Sequence, residues 1–298
     1  MAPQKKFRIV PLLLVLLPLW LIGSGAFALV KYFSQEKAEL EETGKRFSRS
    51  VSTEDLADDL KKIITLVGER NTTKPAKLAA TASMIQGLLG PANTGYKIGH
   101  IDSPSDFPII HVSVPAKKSG NPPVWVLSSY DSPVGSRGAE KNATGLTAAL
   151  AAARALADEK PAHDIHFVFL PHSNEADSPV IETAAAVREF IARAPSPQAL
   201  LCIEAMGDSE SLILTSRDTE AIPTTEFAGL GKVLGAEVIC LGDDFDLAST
   251  LFEMNLPAIR IATRPTLLPD ENDEQLPFAP TLAASTGRLI ELIRRLSN

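Results

Sequence analysis

Apolar positions fall into three regimes along this chain. From Ile9 to Val30 there is no charged residue, and Lys5, Lys6 and Arg8 stand just before that run. A helix of about 20 apolar residues spans a bilayer core, so the pattern predicts one transmembrane helix over 9–30. Positive charge on its leading side predicts a cytoplasmic tail over 1–8 and a domain on the periplasmic or extracellular side. Pro11 and Pro18 would kink such a helix without forbidding the span. The rival reading is a cleaved signal peptide, with Ala26-Phe27-Ala28 as a small-x-small cleavage site. Residues 31–51 are polar and rich in both charges, the pattern of a solvated stalk.

From residue 52 to 298 the rhythm changes to that of one folded domain. Ser52 or Thr53, followed by Glu54 and Asp55, makes an N-cap with an acidic first turn, and Leu56, Leu60, Ile63, Ile64 and Val67 keep helical spacing. A second helix follows Pro75. Ile109–Val114 and Val124–Ser128 are β-type runs with Ser119 to Pro123 between them, which predicts a hairpin. Helical stretches over 144–157, 181–194, 227–234, 247–254 and 282–296 then alternate with apolar strands over 165–170, 200–205, 211–215, 237–241 and 258–261. That alternation predicts an α/β fold, a mostly parallel central sheet with helices on both faces. Functional loops in such sheets gather at the carboxyl ends of the strands, here the segments after Ser128, Leu170, Ala205 and Leu241.

Composition narrows the function. The chain has 298 residues and a net charge of −7, and a general nucleic-acid binder needs a basic face instead. Aromatic residues make up only 6%, so the core must be mostly aliphatic. Cys202 and Cys240 form no zinc-type pair. Both lie in apolar strand-like runs and read as buried thiols, with a disulfide open to them if the domain is exported.

The strand-end loops carry the candidate chemistry. Ser129-Tyr130-Asp131-Ser132 follows one strand, and Gly138-Ala139-Glu140-Lys141-Asn142-Ala143-Thr144-Gly145 leads into a helix. Pro171-His172-Ser173-Asn174-Glu175 and Glu204-Ala205-Met206-Gly207 follow two more strands, and Leu256-Pro257-Ala258-Ile259 introduces the last. Together with Gly68-Glu69-Arg70-Asn71, this order and spacing resembles the zinc-dependent aminopeptidase family that includes the glutaminyl cyclases. The resemblance implies a two-zinc site of histidines and carboxylates with a glutamate base.

At the matching positions this chain departs from that pattern. Ser129 stands where the family has its first histidine, with Asp131 behind it, and Lys141 stands where the metals are bridged by an aspartate. Ser173 and Asn174 take the place of the paired glutamates (or Asn174 and Glu175, if the loop is one residue longer). Glu204 replaces an aspartate, and Ala248 lies near the place of a late histidine. A protonated lysine offers no lone pair and repels divalent cations, so Lys141 is expected to pair with Asp131, Glu175 or Glu204, and Glu204 is read as a partner of Lys141 rather than as a remnant ligand.

His111 and His166 read as packed strand residues, and His100 and His163 as loop residues. His172 alone stands in a strand-end loop. A Ser-Lys nucleophile pair from Ser129 or Ser173 with Lys141 lacks the Gly-x-Ser-x-Gly elbow. Asn71 and Asn142 head glycosylation sequons that matter only in an exported eukaryotic protein. Two functions follow from the resemblance. One is a membrane-tethered, non-catalytic pseudopeptidase that binds a peptide or an envelope protein through the old cleft and needs no cofactor. The alternative is an active metallo-aminopeptidase holding zinc through His172, Glu175 and Glu204.

Overall fold

The structure, a computed structural model, describes residues 20, 23–25, 27–34, 51–174, 178–216, 237–240, 247–256, 258–264 and 273–298. The chain divides into two compact units, residues 1–43 and 44–298. In the first, residues 27–34 are helical and Phe27, Leu29, Val30, Tyr32 and Phe33 are exposed. Among the described residues no helix is long and apolar enough to cross a membrane. The span expected over 9–30 lies largely outside them, as do the tail over 1–8 and most of the stalk.

In the second unit, Ser52 caps helix α1 (Thr53–Lys61) by accepting a hydrogen bond from the Asp55 amide at 3.3 Å. The helix continues through a wider π-helical turn, Lys62–Val67, which ends at Gly68 with φ of 77°. Helix α2 (Pro75–Leu89) opens with proline at its first position, where the missing N–H costs nothing. The strands are β1 (Gly99–Ile101), β2 (Ile109–Val114), β3 (Val124–Ser129), β4 (Ile165–Leu170), β5 (Ala199–Ile203), β6 (Ile213–Ser216), β7 (Glu237–Cys240) and β8 (Ala258–Ala262). Between and after them come α3 (Thr144–Leu156), α4 (Ser178–Ile191), α5 (Leu247–Glu253) and α6 (Ala279–Ser297).

The eight strands form one sheet in the order β1-β2-β4-β3-β5-β8-β6-β7. Its centre, β4-β3-β5-β8, is parallel, while β1, β2 and the β6–β8 pairing are antiparallel. The hairpin expected from 109–128 is therefore corrected: β4 lies between β2 and β3. The reason lies in the connection over 115–123, which is tied to the segment before β4. Ala116 N–H donates to the Asp164 carboxylate, Lys117 N–H to the Pro161 carbonyl and the Asn121 amide to the Ala162 carbonyl. Strand β3 is buried along its whole length, which suits an interior parallel position better than half of a hairpin.

Alternation along the strands sorts the core into two layers. Val124 and Val126 of β3 face the helices α1, α2, α3 and α6, whereas Trp125 and Leu127 face α4 and α5. The expectation of helices on both faces is met. The strands carrying Cys202 and Cys240 lie three places apart, about 14 Å at normal strand spacing. That exceeds the ~7 Å Cα reach of a disulfide. Neither sequon is accessible, since Asn71 and Asn142 are buried.

Beneath α4 the imidazoles of His111 and His166 share a hydrogen bond of 2.9 Å, Trp125 stacks on His166 at 4.1 Å, and Phe190 closes edge-on over Trp125. Burial, and next the neighbouring His166, pushes His111 down to about 4. Burial lowers His166 as well, against the upward pull of Asp164. The unfolded chain titrates these groups near pH 6.5, so below that pH it binds protons the native state refuses. Stability is thus complete at neutral pH and declines as pH falls from about 6.5 toward 4. Urea midpoints measured between pH 7.5 and 4.5 should show this decline. A double variant, His111→Gln with His166→Gln, should lose most of the slope.

Candidate functional site

Strands β3, β4, β5 and β8 end on the same side of the sheet, and their carboxyl ends bring the expected loops together. The loop after β3 is set by its backbone. Tyr130 N–H donates to the Leu170 carbonyl, its hydroxyl to the Pro108 carbonyl, and Ser132 N–H to the Arg70 carbonyl. Tyr130 is fully buried, and burial raises its phenol well above its ordinary value.

Arg70 anchors this end of the molecule. It is fully buried and donates to the carbonyls of Gly68, Tyr130 and Arg137 and, at 2.7 Å, to the Asn142 side-chain oxygen. Burial brings its guanidinium down to about 10, while Asp131 and Asp273 hold it up. It remains charged at neutral pH. Asn142 relays this order inward. Its amide nitrogen donates to the Asp131 carbonyl and, at 3.4 Å, to Ser129 Oγ.

Asn142 belongs to a π-helical turn, Ala139–Ala143, that runs straight into α3. Asp273, distant in sequence, caps this start. Its carboxylate accepts from the Glu140 and Lys141 amides at 2.7 and 2.9 Å and from the Ser136 hydroxyl at 3.1 Å. One turn on, α3 passes so close to β5 that a Cβ on Gly145 would lie 2.1 Å from the Glu204 carbonyl oxygen. Thr144 Oγ1 accepts from the Met206 amide at 3.0 Å, which fixes the same contact.

Asp131 collects the loop after β4. Its fully buried carboxylate accepts four hydrogen bonds, from the amides of Ser173 and Asn174 at 2.9 and 2.8 Å, the Ser173 hydroxyl at 3.3 Å and the Asn174 side chain at 3.1 Å. The Asn174 side chain also reaches Ser129 Oγ at 3.5 Å. His172 is buried and turned the other way, with Nε2 2.7 Å from Ser105 Oγ and its ring edge-on to Phe107. Glu175 lies outside the described residues.

Of the positions expected to matter, Ser129, Asp131, Ser173 and Asn174 thus form one network. Glu204 is held by Arg260 of β8, 2.8 Å from its Nε. The expected pairing of Glu204 with Lys141 is corrected accordingly. Arg260 is almost wholly buried in an apolar strand and needs a carboxylate beside it, which the β5–β8 register supplies in Glu204. Lys141 is half-buried, and among the described residues its side chain makes no ion pair. Ala248 is buried at the start of α5 in the core layer shared with Cys202.

Sequence reasoning passed over Arg260, Asp273 and Ser105 and gave Arg70 no role. An arginine inside Ala258-Ile259-Arg260-Ile261-Ala262 is a readable signal for a buried carboxylate partner. Asp273 carries none, because an aspartate in an acidic run can cap a helix only if the chain returns there.

Zinc prefers nitrogen, sulfur and carboxylate donors in a compact shell. Serine hydroxyls, an asparagine amide, an ammonium, an alanine and a glutamate already paired with arginine do not fit a pair of zinc ions. Among the described residues no three His, Cys, Asp or Glu side chains gather as a metal shell would require. Beside this network a cavity of about 230 Å³ opens between Met206 and Gly207 after β5, Arg264 after β8, and the segment Gln275–Phe278. Glu140 and Arg264 form an ion pair at its edge, and burial raises the Glu140 carboxyl above its usual range despite that partner.

Residues 109–174 match the model of peptidase family M28. The fold is that of solved enzymes at low identity. The LapA aminopeptidase of Legionella pneumophila is 13% identical, covering 87% of this chain and 74% of its own, with a TM-score of 0.66. A glutaminyl cyclase from an Acidobacteriales bacterium is 14% identical over 82% of this chain and 94% of its own, with a TM-score of 0.63. That of Bacteroides thetaiotaomicron is 15% identical over 82% and 98%, with a TM-score of 0.58. No curated protein is a significant sequence match.

Two substitutions test this geometry by urea unfolding. Replacing Arg70 by Met strips three carbonyls and Asn142 of a buried donor and removes the positive charge that acts on Asp131, so about 3–5 kcal/mol of stability should be lost. Gly145→Ala should cost about 1–3 kcal/mol through the backbone clash. Gly287→Ala in α6, where a Cβ meets nothing within 4 Å, should instead gain about 0.4–1 kcal/mol.

Proposed function

We propose that this member of peptidase family M28 is a non-catalytic binding protein. On this reading it is held at a membrane by residues 9–30 and presents its domain on the periplasmic or extracellular side. Its ligand is a peptide or an envelope protein, taken in the cleft at the carboxyl ends of β5 and β8. One observation carries the reading. Where the resemblance calls for metal donors, Ser173 and Asn174 turn four hydrogen-bond donors onto Asp131, with Ser129 alongside. A hydrolytic zinc centre needs lone pairs converging on one point, and this arrangement spends its polarity on itself. The set His172, Glu175 and Glu204 gains no support from geometry, since Ser105 and Arg260 hold two of its members.

The test is metal content and hydrolysis on the full-length chain, purified without a histidine tag and soaked in zinc. Mass spectrometry should find far less than one zinc per chain, and aminoacyl-anilide substrates should turn over no faster than the blank. Stoichiometric zinc that is lost in His172→Ala or Glu204→Gln would overturn the proposal in favour of an enzyme. For the anchor, the full-length chain should stay in the membrane pellet after alkaline carbonate extraction, whereas a variant lacking residues 9–30 should not.

A further inference from the structure

The cavity beside the network has an unbalanced charge. Glu140 and Asp208 both line it, and among the described lining residues Arg264 is the one cation. Arg264 is engaged by Glu140, and Asp208 stands exposed at the rim, where its backbone amide is fixed to Thr263 Oγ1 at 3.1 Å. Asp273 adds a further carboxylate nearby, but its oxygens are taken by the amides of Glu140 and Lys141 and by Ser136. Asp208 and Asp273 both press on Glu140 electrostatically. Counted over the described lining residues, the cavity is thus short of one positive charge.

Its other walls are apolar. Met206 is buried in the floor, Pro277 lies alongside, and Phe278 stands 72% exposed at the opening. A ligand matched to these walls combines an aliphatic stem with a cationic tip. Lysine and arginine side chains have that form: their methylenes lie along apolar surface while the head seeks charge or water. An exposed aromatic face adds a further attraction for a cation. Carboxylate ligands would meet Asp208 and Glu140 as like charges, and a purely apolar side chain would leave the charge deficit in place.

We infer that this cleft selects a basic side chain, lysine or arginine, from an extended peptide segment of its ligand, with the stem against Met206, Pro277 and Phe278 and the cation at Asp208 and Glu140. The inference rests on the cleft being the binding site. It adds what that site recognises.

Calorimetry on the full-length chain tests it with acetylated, amidated pentapeptides Ala-Ala-X-Ala-Ala, where X is lysine, arginine, norleucine or glutamate. The lysine and arginine peptides should bind about tenfold tighter than norleucine, the worth of one partly shielded charge contact. The gain should shrink as salt rises. Asp208→Asn should erase most of the preference for lysine and arginine over norleucine, and Phe278→Ala should weaken all binding.

A norleucine peptide that binds as well as lysine, and is weakened by Phe278→Ala, would overturn the charge selection and keep the cleft as a binding site. Binding gained by a free α-amine on the norleucine peptide, and not by a side-chain cation, would overturn the choice of a side chain. No binding by any peptide would overturn the inference together with the peptide reading of the cleft.

Discussion

A fully buried guanidinium sets the terms for the strand-end loops of this protein. A charge removed from water must be solvated by the protein itself. Arg70 obtains that from three backbone carbonyls, one asparagine oxygen and the field of Asp131 and Asp273. Those carbonyls belong to the Gly68 turn, the loop after β3 and the approach to α3. Each must hold its place for the others to be satisfied, so the Gly68 turn is tied to the stretch from Tyr130 to Arg137, far from it in sequence. Asn142 carries the same constraint one step further, to Ser129 and Asp131.

From there outward, order passes to the strand ends through the sheet and the helix that crosses it. The sheet order, the helix start beneath Asn142 and the close pass of Gly145 over Glu204 all serve to bring loops to one place. What stands in those loops is hydrogen-bonding polarity and two arginine–carboxylate pairs. Pairs of this kind contribute little net stability compared with apolar packing, yet removing one partner is costly. They make the site specific in shape. Arg260 locks Glu204 to β8, and Arg264 locks Glu140 to the cavity edge.

Much of this was legible in the sequence, for identifiable reasons. The Ser52 cap, the helices after Pro75 and Thr144 and the β-type run from Val124 to Ser128 follow from local chemistry and period. The motif order located the site at the strand ends, and Ser129, Asp131, Ser173 and Asn174 do meet there. The β2–β3 hairpin failed because a turn-rich connection states only that the chain changes direction, and strand insertion by β4 is a tertiary event. Glu204 was joined to the wrong cation for a similar reason. Lys141 is its neighbour in the motif logic, but Arg260 is its neighbour across the sheet. Asp273 could not be seen at all, since its role exists only once the last segment folds back over the helix start.

That fold-back makes one stretch of chain serve two purposes. Residues 273–278 satisfy the amides of the turn that leads into α3 at one end and wall the cavity at the other. A ligand resting against Pro277 and Phe278 would damp the same stretch that keeps the Glu140 and Lys141 amides bonded. Amide hydrogen exchange at the start of α3 would therefore slow when the cleft is filled, although the ligand touches neither amide. Occupancy becomes readable at a distance, as local order passed along six residues of chain.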